Sequence, residues 1–214
     1  LKEDLYHDEM SSLLSQQHAG RQVNLESTPE VDLPFSLLDR VVPGLSADLE
    51  AACLSEPDLV PYRMRQAIGQ QLERRAAVDL CAAVLALPRS TQSYTRHILH
   101  ADPLGRFTVV GLVWGPQQCS PIHAHYTWCA YRILAGELTE GFYQWDSAQR
   151  HAYLMSQFTR EPGYSACGHA GLEFIHRLGN QTSEPAVSIH VYGMDSGRIG
   201  THVNRVLASA QTLN

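Results

Sequence analysis

The stretch Pro121-Ile122-His123-Ala124-His125, followed by Cys129 and Gly136, decides the fold when set beside His176-Arg177-Leu178-Gly179-Asn180. Two imidazoles one residue apart share a face only in an extended chain, where side chains i and i+2 project together. The surrounding sequence supports that conformation. Residues 107–114, 126–134, 138–145, 174–178 and 186–192 are short runs rich in β-branched and aromatic residues, divided by Gly115-Pro116, Ala135-Gly136, Pro162-Gly163 and Gly179-Asn180. Short strands at close spacing without intervening helices predict an antiparallel sandwich or barrel.

The region before this reads differently. Residues 46–54 and 62–87 have helical spacing, and Met64, Ile68, Leu72, Ala76, Leu80, Val84 and Leu87 form one apolar stripe that Pro88 ends. Pro29, Pro34, Pro43 and Pro57 divide the chain ahead of that stripe into short pieces. The expected organisation is a helical N-terminal segment, residues 1–90, packed on a small β-barrel, residues 91–207, as one domain overall.

Composition sets limits on partners. The chain has 214 residues, 44% apolar and 18% charged, an ordinary globular balance. Its net charge of −6 disfavours broad attraction to nucleic acid or anionic membrane. No apolar run reaches the ~18 residues of a membrane span. Residues 1–20 are polar and acidic and read as no secretory leader. Five cysteines without a CxxC pair point to a reducing, cytoplasmic setting, with Cys53, Cys81 and Cys167 as small hydrophobes.

The HxH pair, Cys129, Gly136 and the H-x3-N of His176 and Asn180 resemble the two signatures of the cupins, with Cys129 where those proteins usually carry a ligand glutamate. The resemblance implies a mainly β fold class, a cupin: a small antiparallel β-barrel or jelly roll with a helical N-terminal part. Three neutral imidazoles without a carboxylate would leave a ferrous ion its full charge and three open positions, suited to a thiolate and dioxygen. The same set suits zinc and an activated water, so ligand type alone does not choose the metal.

Ser93-Tyr94-Thr95-Arg96, residues 121–136 and the segment from Ile175 through Glu184-Pro185-Ala186-Val187-Ser188-Ile189-His190-Val191-Tyr192 resemble the cysteine dioxygenase family of thiol dioxygenases, over roughly positions 90–195. The resemblance implies iron(II) held by His123, His125 and His176. It also implies a catalytic Ser188-His190-Tyr192 element, and a Cys129 able to form a thioether to Tyr192. In a strand, Ser188, His190 and Tyr192 face one side, and Val187, Ile189 and Val191 the other. Arg96 matches the arginine that holds the substrate carboxylate, with Tyr94 beside it; a planar guanidinium fork suits that group.

Several features depart from the family pattern. Ala124 replaces a usual Asp, Tyr126 a usual Thr, and Trp128 with Trp114-Gly115-Pro116 looks more like bacterial 3-mercaptopropionate dioxygenases. The expected activity is oxidation of a small carboxylated thiol by O2, L-cysteine first, with 3-mercaptopropionate or mercaptosuccinate as alternatives. Arg198 would serve a second carboxylate if it reached the site. A non-enzymatic ligand- or metal-binding cupin is the reading from another class, and a zinc hydrolase or isomerase a third. The expected partners are a small thiol and O2, with neither nucleic acid nor membrane.

Overall fold

The computed structural model describes residues 36–209, which fall within one compact unit, Val31–Asn214. The sequence readings at His7, His18, Pro29, Pro34 and the first part of the 1–90 segment lie outside the described residues. Among the described residues four α-helices come first: α1 (Leu37–Val41), α2 (Leu45–Ala52), α3 (Val60–Gln71) and α4 (Arg74–Leu85). Ten strands follow: β1 (Thr95–Ala101), β2 (Thr108–Trp114), β3 (His123–His125), β4 (Cys129–Ala135), β5 (Leu138–Asp146), β6 (His151–Arg160), β7 (Ser165–Gly168), β8 (Gly171–Gly179), β9 (Ala186–Tyr192) and β10 (Asn204–Val206).

The strands form two five-stranded antiparallel sheets, ordered β1-β2-β9-β4-β7 and β10-β3-β8-β5-β6. The first sheet is buried on both faces, which explains why β2 and β9 carry no exposed residue. Val109, Val113, Val187, Ile189 and Val191 pack under the helices against Met64, Ile68, Leu80 and Val84. Alternate residues Val110, Leu112, Trp114, Cys129, Tyr131, Ile133 and Tyr192 point into the barrel. A period-two pattern thus separates a structural face from a functional one along the same strands.

Two local features differ from the sequence reading or explain it. Residues 62–87 are not one helix: the chain breaks after Leu72, which is fully buried, and Arg74 follows with φ +39°. A single helix of that length would run about 39 Å, far past strands of seven residues that span about 23 Å. The break lets both apolar faces stay on the sheet. Gly136 has φ +70°, and a Cβ there would lie 2.7 Å from the Ala186 Cα, so the β4–β5 turn needs glycine on two counts. The strands β1, β6, β7 and β10 were not assigned from sequence. Among the described residues no helix is long and apolar enough to cross a membrane.

Candidate metal centre

Neighbouring strands of the second sheet bring three imidazoles together. His123 and His125 project from β3, and His176 on β8 is the register partner of His123. Each offers one ring nitrogen, and these atoms lie within 4.8 Å of one another. All three residues are buried. Burial, with the neighbouring His176, pushes His123 down to about 3, and burial pushes His125 well below the usual imidazole value. Both rings are therefore neutral near pH 7, the state in which a ring nitrogen can bind a metal.

The hydrogen bonds set which nitrogen is free. The Nδ1 of His123 lies 2.9 Å from the carbonyl oxygen of Pro121, which can only accept, so Nδ1 carries the hydrogen and Nε2 keeps its lone pair. The Nδ1 of His176 stands in the same relation to Glu140 Oε1, at 2.9 Å. Two ligand rings are thus oriented from behind. This donor set fits a borderline divalent cation such as iron(II) or zinc.

The opposite wall comes from the first sheet. Tyr94, Arg96, Leu112, Trp114, His190 and Tyr192 line the same cavity as the three histidines. Arg96 Nη2 donates to Tyr94 Oη at 2.7 Å, and Tyr94 stacks on Trp114 at 4.5 Å. Trp114 Nε1 donates to Ser188 Oγ at 2.9 Å; Ser188 Oγ lies 2.9 Å from His190 Nε2, and His190 Nδ1 lies 3.2 Å from Tyr192 Oη. Burial keeps His190 neutral and raises the Tyr192 phenol well above its ordinary range. The cavity is tight, about 10 Å³, room for roughly one water.

Cys129 sits directly across from Tyr192 in the β4–β9 register, with its Sγ 3.9 Å from His190 Nδ1. Burial pushes its thiol pKa up. It stands beside the three-histidine group rather than in it. Asn180, the last residue of the second signature, is fully buried and clamps backbone: its Nδ2 donates to the Trp114 and Glu184 carbonyls. It ties the end of β8 to the end of β2.

Two departures from the family pattern, Ala124 and Tyr126, and the candidate second cation Arg198 fall elsewhere. Ala124, between the ligand histidines, faces the other side of β3 and packs with Ala152 and Ile175. Tyr126 is 60% exposed. Arg198 is exposed and lines a separate cleft of about 430 Å³ with Tyr126, Asp195 and His202. None of the three lines the metal cavity.

The sequence reading missed a buried carboxylate. Glu140 on β5 is 1% exposed and bridges His176 to Arg160, whose Nε donates to Oε2 at 2.8 Å. Burial works against its charge, but the hydrogen bonds from His176 and Arg160 prevail and hold the carboxyl below its ordinary value. Arg160 lies 4.0 Å above the Tyr164 ring, which fixes the far end of the relay. Tyr131 was missed too; it stacks on His190 with ring centroids 5.1 Å apart. The signal for Glu140 was its shared parity with Leu138, which puts a charged residue on an inward face.

Comparison with known proteins gives a consistent outcome. The sequence model of the family described as Cysteine dioxygenase type I matches residues 83–199. Cysteine dioxygenase type 1 of Danio rerio is 28% identical over 102 residues, 46% of this chain and 50% of the relative. The Homo sapiens protein of the same name is 29% identical over the same length and shares. The chain thus spans about half the length of the curated relatives it matches. A cupin superfamily protein from Desulfitobacterium hafniense has a TM-score of 0.40 at 12% identity, covering 52% of this chain and 87% of that one; a likeness of that size adds nothing to the strand order described above.

Proposed function

Because this chain belongs to the cysteine dioxygenase type I family, we propose that it is an iron(II)-dependent thiol dioxygenase that converts a small carboxylated thiol, L-cysteine first, to its sulfinate. The overall reaction is RSH + O2 → RSO2⁻ + H⁺, which balances without an external reductant. The observation that carries this reading is the meeting, in one tight buried cavity, of three imidazoles with the guanidinium of Arg96. Iron(II), when bound, supplies open coordination positions for sulfur and oxygen and the electrons that activate dioxygen.

The protein's own groups do the rest. Arg96 binds the substrate carboxylate through its planar fork, and Tyr94 holds that fork in place from Oη. The cavity as it stands holds about one water, so substrate entry requires the lining side chains to give way. The substrate then excludes water from around the reacting sulfur. Burial keeps His123 and His125 neutral, and Pro121 and Glu140 occupy Nδ1 of His123 and His176, which leaves Nε2 of those two rings free to bind.

Proton placement follows from donor types. The Trp114 indole can only donate, so it occupies one of the two lone pairs of Ser188 Oγ; we assign the serine hydrogen to His190 Nε2. His190 then carries its hydrogen on Nδ1 and donates to Tyr192 Oη, leaving the phenol hydrogen to point into the cavity. Tyr192 remains a neutral donor at physiological pH because its pKa is raised. It steers oxygen toward sulfur. Cys129, opposite Tyr192, forms a thioether to the tyrosine ring, with loss of two hydrogens to dioxygen; the register of β4 and β9 supports that pairing.

Among the candidate thiols, a cavity lined by the single arginine Arg96 favours monocarboxylates. Mercaptosuccinate would need a second cation, and Arg198 lines another cleft. The test is anaerobic incubation of iron-loaded protein with cysteine, 3-mercaptopropionate, mercaptosuccinate and cysteamine, then O2 addition with oxygen uptake and sulfinate measured together. Cysteine is expected to give the highest kcat/KM. Thiol binding without oxygen uptake would assign the chain to ligand binding instead, and a His176→Ala protein with full activity would contradict the site.

A further inference from the structure

We propose that a second site, the arginine-lined cleft between α3 and the β4–β7 edge, binds the phosphate groups of a small organic phosphate of nucleotide size. The cleft measures about 460 Å³ and is lined by Arg63, Arg65, Arg132, Tyr62, Gln66 and Ser165, with Leu59 at its rim and no acidic side chain among its lining. It lies on the far side of the sheet from the metal cavity. Arg132 has the parity of Ala130, which packs under the helices, whereas Cys129 and Tyr131 point into the barrel.

Charge is the first argument. Among the described residues Arg75, Arg106 and Arg160 each form an ion pair with a carboxylate, but Arg63, Arg65 and Arg132 form none. The field of Glu73 reaches Arg132 without an ion pair between them. Three arginines outside any ion pair line one cleft of a chain whose net charge is −6, and they leave a local positive potential that an anion would neutralise.

Geometry is the second argument. Arg132 is held rather than free: Nη1 donates to Gly163 O at 2.8 Å and to Ser165 Oγ at 3.0 Å. Its Nε is buried without a partner. Arg63 Nη1 donates to Gln66 Oε1 at 3.0 Å, which tethers a second fork on the α3 face. Planar guanidinium forks lining one cleft can bind phosphate oxygens two at a time. The cleft exceeds what inorganic phosphate fills. Beside the arginines stand Leu59, 46% exposed, and Tyr62, 48% exposed, with the Tyr62 ring meeting His169 at 5.8 Å. These offer an apolar and aromatic surface for an organic group attached to the phosphate.

The test is equilibrium binding by calorimetry with ADP, adenosine and citrate as probes, on the intact chain and on an Arg63→Ala/Arg65→Ala double variant. Both residues are solvent-exposed on a helix and alanine favours helix, so the variant is expected to fold, which circular dichroism checks. ADP should bind saturably at sub-millimolar concentration, weaken with added salt, and lose at least tenfold in affinity in the double variant. No saturable ADP binding, equal binding by the variant, or equal affinity for adenosine or citrate would each overturn the assignment. The readout involves neither metal nor turnover, so it stands or falls apart from the proposed dioxygenase activity.

Discussion

The Oε1 of Glu140 stands 2.9 Å from Nδ1 of His176, so a buried carboxylate on β5 orients one ring of the three-histidine group from β8. Arg160 closes the relay from outside. The arrangement places one carboxylate just behind the imidazoles, where it fixes the ring of His176 without joining the three-histidine group. Glu140→Gln should lower metal affinity by roughly 10–100-fold, measured by competition with a chelator. Unchanged affinity would remove Glu140 from the account of the site.

Arg96 is expected to discriminate by carboxylate. In Arg96→Gln, kcat/KM for cysteine and 3-mercaptopropionate should fall by about 2–5 kcal/mol in transition-state binding, by analogy with truncated charge pairs. Cysteamine, which has no carboxylate, should be affected little. Equal losses for all three thiols would mean that Arg96 shapes the cavity rather than reading the substrate.

The Trp114 indole acts through Ser188 and His190 on Tyr192. Tyr192→Phe removes the phenol donor and should lower kcat by roughly 10²-fold or more. Trp114→Phe removes one buried hydrogen bond, a contribution of about 0.5–1.5 kcal/mol, so kcat should fall only several-fold. Metal affinity should change in neither protein. A Trp114→Phe protein as impaired as Tyr192→Phe would show that the indole does more than orient the serine.

Stability of the metal-free protein should depend on pH in a definite direction. His123 is held down at about 3 by burial and by His176, and burial also lowers His125, His190 and His97. The unfolded chain binds these protons near the ordinary imidazole value of about 6.5. The unfolded state therefore binds more protons below that pH, and stability rises with pH in that window. The full contribution is present above about pH 6.5 and is lost progressively as pH falls toward 3. Denaturant melts between pH 8 and pH 5 check the sign; a stability that increases on acidification would contradict the burial of these rings.

The parts of the molecule visible in the sequence are those whose residues alternate with a clear period. Ala186–Tyr192 reads as a strand because Val187, Ile189 and Val191 face the helices while Ser188, His190 and Tyr192 face the cavity. His123 and His125 were placed on one face by the same rule. The strand β6 left no such trace: Tyr153, Leu154, Met155 and Phe158 are all partly exposed at a sheet edge, so no apolar face repeats. The helix break at Leu72 was hidden because its apolar spacing continues through the turn. Glu140 was hidden for another reason. Its partner His176 is 36 residues away, and only the β5–β8 pairing brings them together.

The central claim is that His123, His125 and His176 hold one metal at which a carboxylated thiol takes up both atoms of dioxygen. The most direct test is mass spectrometry of the product made by iron-loaded protein from cysteine under isotopically labelled dioxygen. The account predicts cysteine sulfinate with both sulfinate oxygens labelled. A product carrying one labelled oxygen or none would contradict it.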